Sequence, residues 1–187
     1  ARQIAAARGT GTISRMWVAE DDERLPELLA RLGYAPRAYD IFFERALGDP
    51  VPAAPLPGGF ACREMRGEPD VVSRAEAAYA AFGNTMAWDT YVDRYRRFRG
   101  SPVYAEARDR VVVAPDGRVA AFCVVWTDET TATGHFEPVG VHPAYHRRGL
   151  GAALVTDGLR ALRAMGMRRA TVCTPETNAA ARHLYAS

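Results

Sequence analysis

Residues 141–152 read VHPAYHRRGLGA: an apolar run stops at Pro143, Arg147 and Arg148 follow His146, and Gly149 and Gly151 stand one residue apart at the head of the helical pattern AALVTDGLRALRAMG. A strand that passes through glycines into a helix leaves the first main-chain N–H groups of that helix unpartnered, and those donors point to one place together with a helix partial charge of about +0.5. This is an anion site, and a pyrophosphate is its natural occupant. The glycines let the backbone come close, and the two arginines add charge. It is not a dinucleotide-binding fingerprint, because the third glycine is absent and Ala153 or Leu154 stands where it would fall.

The rest of the composition narrows the chemistry. The 187 residues carry 24 basic and 22 acidic side chains, a net charge of +2, and every basic one other than histidine is Arg. Without Lys in this chain, P-loop transfer, pyridoxal chemistry and Schiff-base aldol chemistry are excluded. With 48% apolar residues the chain reads as globular, large enough for one full domain and part of another. Cys62, Cys123 and Cys173 are far apart, and His135, His142, His146 and His183 show no metal-ligand spacing, so no metal is expected. Cys123 and Cys173 sit in apolar strand patterns, where a thiol is a poor nucleophile, which disfavours a covalent acyl-cysteine route. The stretch RYRRFRG at 94–100 interleaves aromatics with Arg, and a solvated helix face accounts for it better than nucleic acid does. No apolar run approaches a membrane span, and ARQIAAARGTG lacks a signal-peptide core, so a cytoplasmic protein without membrane partners is expected; the chain begins at Ala, not Met.

The elements that would position the loop follow from periodicity. GDPVPAAPLPGG at 48–59 is too rich in Pro and Gly for a helix or central strand and reads as a linker. After it come a strand in FACREMR, helices in EPDVVSRAEAAYAAFG and TYVDRYRRF, a hairpin of DRVVVAP and RVAAFCVVW turned at Asp116-Gly117, and a strand TGHFEPVGV that delivers the loop. A helix from about Leu150 to Met165, a strand RRATVCT and a helix near Asn178 complete an α/β order with a mostly antiparallel sheet and one parallel crossover.

From residue 59 onward, and most strongly over 136–154, the chain resembles the GCN5-related N-acetyltransferase (GNAT) superfamily: His146-Arg147-Arg148-Gly149-Leu150-Gly151 matches the family's acyl-CoA loop except at His146, where Arg or Gln is usual. The resemblance implies a GNAT fold, a mixed, mostly antiparallel sheet flanked by helices with a splayed strand pair that holds acyl-CoA. It implies acetyl-CoA as co-substrate, held by main chain at Val139, Gly140 and Val141, by His146 to Gly151 and Ala152, and further along by Asn178. Tyr185 matches the tyrosine that protonates the departing thiolate in many members, although a tyrosine in an amphipathic helix also suits a core. Glu137, the one carboxylate on the preceding strand, could take the amine proton, or be only a charge at a sheet edge. Trp88 and Tyr91, in or beside FGNTMAWDTY, are candidate walls of a pocket for a small-molecule amine, or core residues. Direct attack of the amine on the thioester is then the mechanism. A non-catalytic, CoA-binding regulatory module is the alternative, and a homodimer is left open.

Residues 12–34 laid on the C-terminal segment at an offset of 156 put strand on strand and helix on helix, with Glu20 on Glu176, Asp22 in place of Asn178 and Leu29 in place of Tyr185. With Leu32-Gly33-Tyr34 and RAYDIFFERAL after it, 1–47 reads as the C-terminal half of a first, degenerate GNAT-like module, as in tandem-domain members of the family. Residues 60–187 are then the acetyltransferase domain, apparently lacking its last strands. Alternatively, 34–47 completes the second module's sheet.

Overall fold

The structure is a computed structural model that describes residues 18–19, 21–36 and 38–186, in two compact units, 1–38 and 39–187. In the first, helix α1 (Arg24–Arg31) is started by Asp22, whose Oδ1 accepts the N–H groups of Arg24 at 3.0 Å and Leu25 at 2.9 Å. It ends at Gly33, whose left-handed backbone lets Tyr34 N–H return to the Leu29 carbonyl. The strand expected ahead of this helix lies largely outside the described residues.

The second unit runs β1 (Asp40–Ala46), β2 (Ala61–Glu64), α2 (Glu68–Ala81), α3 (Trp88–Arg99), β3 (Asp109–Val113), β4 (Val119–Asp128), β5 (Thr133–Val141), α4 (Leu150–Ala164), β6 (Arg169–Pro175) and α5 (Ala179–Tyr185). Six strands form one sheet in the order β1-β6-β5-β4-β3-β2. Every neighbouring pair is antiparallel except β5 and β6, which the α4 crossover makes parallel. Val119 to Val125 of β4 are all buried, as a central strand covered on both faces requires, whereas β6 buries alternate residues. One core, with Leu154, Leu162, Val125 and Phe136, includes α4; the other, with Val71, Ala75, Val92 and Phe122, includes α2 and α3. The β3–β4 turn falls at Asp116 and Gly117 as expected, with Gly117 at φ 84° and Ala114 N–H donating to Arg118 O.

Two segments acquire their roles from packing and pairing. Residues 48–59 hold no helix or strand, yet Val51 and Leu56 pack on the α4-side core, so the Pro-rich run lies on the protein surface rather than tethering two bodies through water. The strand in RAYDIFFERAL, read above either with the first module or as completing the second module's sheet, is β1, hydrogen-bonded along β6 from Asp40 opposite Pro175 to Ala46 opposite Arg169. In this chain residues 40–46 therefore occupy the edge of the sheet beyond β6. Among the described residues no helix is long and apolar enough to cross a membrane.

A buried ion pair joins the helices to the sheet. Arg74 of α2 is 2% exposed and its Nε donates to Asp109 Oδ1 at 3.0 Å, while the hydroxyls of Tyr95 and Tyr104 donate to Oδ2 at 2.8 and 3.2 Å. The Arg74 guanidinium also lies 3.8 Å above the Phe122 ring. Around α3, Arg96 and Arg99 pair with Glu68, and Arg99 also with Glu106, while Tyr95 and Phe98 stack on each other and Phe98 packs on Trp126; these two rings of the RYRRFRG stretch are engaged within the protein. Removing one member of a buried pair strands the other charge, so Asp109→Ala is expected to lower stability by about 3–5 kcal/mol in urea unfolding. Arg118→Ala, whose pair with Glu76 lies in water, should leave the urea midpoint in place.

Candidate active site

Strands β5 and β6 pair only from Thr133–Arg169 to Phe136–Val172, yet β5 continues to Val141 and β6 to Pro175. Beyond Phe136 the two strands part. On the other side β5 stays paired with β4, with a register shift between Cys123 and Val125 opposite Pro138, which has no N–H to give a ladder. His142 N–H donates to Ala120 O of the β4 side at 2.9 Å. Donor directions alternate along a strand, so the N–H groups of Val141 and Val139 face the gap toward β6. Gly140 sits between them because a Cβ there would lie 2.4 Å from Phe122 Cζ. These donors are placed to pair with an extended ligand as an added strand would.

The gap leads to the start of α4. A short 3₁₀ turn, Pro143–Tyr145, is capped by His142, whose Nδ1 accepts Ala144 N–H at 3.2 Å. Arg147 follows at φ 61° and Gly149 at φ 77°, two left-handed residues that fold the chain tightly into the helix. Gly149 is the N-cap and offers no side chain, so the first N–H groups of the helix, those of Leu150, Gly151 and Ala152, have no capping side chain. Gly151 packs closely on α5: a Cβ there would be 3.2 Å from Leu184 Cδ2. Arg147 and Arg148 are exposed, Arg148 lying 5.7 Å from the Tyr145 ring. The ring of His146 turns back, its Nε2 donating to Val141 O at 3.0 Å, so this side chain braces the strand end.

Asn178 caps α5, Oδ1 accepting Ala181 N–H at 3.1 Å. Tyr185, on the last turn of that helix, meets Phe43 of β1 edge-on at 5.8 Å. It lines a cavity of about 110 Å³ with Phe43, Phe136, Val155, Thr171 and Leu184. Burial, and then the nearby Cys123, Glu137 and Cys173, push the Tyr185 hydroxyl up to about 12. Glu137 is exposed on β5 where the strands part, and its main chain is held by the indole of Trp126, Nε1 donating to Glu137 O at 2.6 Å. Cys123 is buried and Cys173 half-buried, and burial raises both thiols, as their apolar strand patterns predicted.

Trp88 and Tyr91 lie apart from the α4 loop, on the first turn of α3. Their rings stack at 6.4 Å and both meet Tyr79 edge-on, and Trp88 lines a shallow surface pocket with Val72 and Val92. Tyr91 also packs on the core beneath α2. The loop, the gap, Glu137, Asn178 and Tyr185 thus gather around β5, β6 and the ends of α4 and α5. The Trp126 anchor is not visible in the sequence, because it depends on which residues face each other across β4 and β5. A period-2 reading of TGHFEPVGV does put His135 and Glu137 on one face.

The sequence profile of the acetyltransferase (GNAT) family matches residues 74–187. A mycothiol acetyltransferase of Salinispora tropica is 31% identical over 194 residues, covering 99% of this chain and 61% of that protein. The chain spans 57% and 61% of the lengths of the two Salinispora mycothiol acetyltransferases it matches. Among solved structures, a GCN5-related N-acetyltransferase from Sphaerobacter thermophilus superposes with a TM-score of 0.69 at 22% identity, over 89% of this chain and 52% of that one. A tandem GNAT protein from the clavulanic acid biosynthesis pathway does so with 0.72 at 18% identity, over 99% and 62%. The parted strands leading to an uncapped helix start are thus those of a GNAT fold, and the chain belongs to the acetyltransferase (GNAT) family.

Proposed function

We propose that this chain carries an acetyl-CoA-dependent N-acetyltransferase site that acylates a primary amine of a small molecule by direct attack. The observation that carries it is the free edge of β5, with the N–H groups of Val139 and Val141 turned into the gap and the Gly149–Ala152 helix start at its end. The pantetheine arm takes the strand edge, the pyrophosphate the helix start. A neutral amine attacks the thioester carbonyl, a Val139 or Val141 N–H holds the oxyanion, Glu137 accepts the amine proton, and the C–S bond breaks. With Tyr185 at about 12 and a thiol at roughly 8.5, full transfer of the tyrosine proton is uphill, so Tyr185 stabilises the departing thiolate by a hydrogen bond. The relatives named mycothiol acetyltransferase support a small-molecule acceptor, and Trp88 and Tyr91 remain candidate walls for it.

We further infer that residues 1–47 descend from a first, degenerate module. Asp22 and Asn178, which coincide at the 156-residue offset, make the same bond, each accepting the N–H three residues on: Leu25 at 2.9 Å and Ala181 at 3.1 Å. Leu29 in the place of Tyr185 leaves that copy without the proposed donor.

Calorimetric titration with acetyl-CoA should show binding in the micromolar range that is lost in Gly149→Asp. Asp tolerates the left-handed backbone there but sets a negative charge at the helix start. With an accepted amine, Tyr185→Phe should lower kcat by about 10- to 100-fold with KM little changed, the effect of one hydrogen bond to a charged group. Glu137→Gln should lower it by about 10²- to 10⁴-fold. Because a hydroxyl at about 12 stays protonated until pH rises through that value, Tyr185 should add no alkaline limb to kcat/KM below about pH 10. Tight acetyl-CoA binding without turnover of any amine would instead support a non-catalytic CoA-binding module.

A further inference from the structure

Where β5 and β6 part, three chemically different side chains meet: a ring nitrogen of His135, a carboxylate oxygen of Glu137 and the sulfur of Cys173 all lie within 4.8 Å of one another. No linear motif announces this, since two of the residues are on one strand and the third is 36 residues on, across the parallel pairing. The histidine is prepared for the role. Thr171 Oγ1 donates to Gly134 O at 3.2 Å and lies 2.9 Å from His135 Nδ1. A hydroxyl has one proton, so in the tautomer whose Nδ1–H donates to Thr171 Oγ1 that proton goes to Gly134 O and the lone pair stands on Nε2, the form a metal ion would select. A metal-ligating histidine is normally oriented in this way, its second nitrogen donating to an oxygen behind it.

We propose that His135, Glu137 and Cys173 form a binding site for a divalent ion of the zinc class. Nitrogen, sulfur and carboxylate together suit a borderline-soft ion and not magnesium or calcium. Thiolate and carboxylate would neutralise its two charges, and three protein ligands leave a fourth position for water. Tetrahedral zinc with these donors needs ligand atoms about 3.3–3.8 Å apart, so separations of up to 4.8 Å have to close by at most about 1.5 Å. Glu137 is exposed and β5 and β6 are not hydrogen-bonded to each other beyond Phe136, so rotation of the side chains can supply this. Resting on the reading of Glu137 as proton acceptor, occupation of the site withdraws that carboxylate, and the ion becomes an inhibitor of acyl transfer that acts at the reacting centre.

The test is titration of the chelator-treated protein with cobalt(II) and zinc(II). Cobalt should bind at one equivalent with a thiolate-to-cobalt charge-transfer band, and zinc should displace it with a dissociation constant on the order of 1 μM or tighter. Cys173→Ser should abolish the band and Cys62→Ser should keep it. Thr171→Val, which removes only the hydroxyl behind His135, should weaken zinc about 10- to 100-fold. Absence of saturable binding up to millimolar metal, or a band that survives in Cys173→Ser, would overturn the site. Zinc bound through these residues with unchanged acetyl transfer would leave the site standing and remove Glu137 from proton transfer, so the two readings fail separately.

Discussion

The carboxylate of Asp109 is fully buried at the start of β3, and its position decides how the α2–α3 side of the sheet is arranged. One oxygen takes Arg74 from α2, the other takes Tyr95 from α3 and Tyr104 from the segment after it. Desolvating a charge in this place is tolerable only because three donors, one of them a guanidinium, are aimed at it, and that requirement locks both helices and the segment against one strand. The lock reaches the site through contact. The Arg74 guanidinium lies over the Phe122 ring, 3.8 Å from its centre, and the Cζ edge of Phe122 leaves room only for the hydrogen of Gly140 on β5. The strand whose edge is free is therefore held from behind by a buried charge pair on the opposite side of the sheet from α4.

That free edge is the costly feature of the fold. Unpaired donors and acceptors in the middle of a sheet lose hydrogen bonds that the strands could have made with each other. Three local choices keep β5 from closing on β6. Pro138 cannot donate, the β4 register shifts beside it, and Trp126 ties the Glu137 carbonyl toward β4. At the far end His146 occupies the Val141 carbonyl. The strand is thus paired with β4 on one side and, up to the Val141 carbonyl that His146 takes, open on the other, which is the condition for an extended ligand to complete the sheet.

Local pattern carried much of this into the sequence. The 3.6-residue spacing in α2 and α4, the period-2 spacing in β5 and β6, the Asp-Gly turn and the loop at Gly149 depend on neighbours in the chain, and each stands where it was expected to within a residue or two. What was not legible depends on partners far away. The Pro-rich run 48–59 has a linker's composition, but Val51 and Leu56 find an apolar core to lie on. The mutual packing of Trp88 and Tyr91, which stack on each other and meet Tyr79 edge-on, was undetermined by their types. His135, Glu137 and Cys173 have no spacing to read because the register of β5 on β6 brings them together.

The strand beyond β6 bears directly on the proposed chemistry. An uncovered β6 edge would present a row of unpaired backbone groups, and β1 satisfies them over seven consecutive residue pairs. Alternation along β1 then sends Phe42 and Phe43 to opposite faces of the sheet. Phe43 meets the ring of Tyr185 edge-on and closes the cavity on that side, while Phe42 stands opposite Cys173 in the ladder. The desolvation that raises the Tyr185 hydroxyl is thus partly the work of a residue at position 43, far from Tyr185 in the chain. Any strand that occupied this edge with a small or polar residue in place of Phe43 would leave Tyr185 wetter and its hydroxyl nearer its ordinary value, a stronger acid than it is here. The side chain that the edge strand turns toward α5 therefore tunes the Tyr185 hydroxyl, and in the mechanism proposed above the covering of the sheet edge and the chemistry of the leaving group are one structural problem.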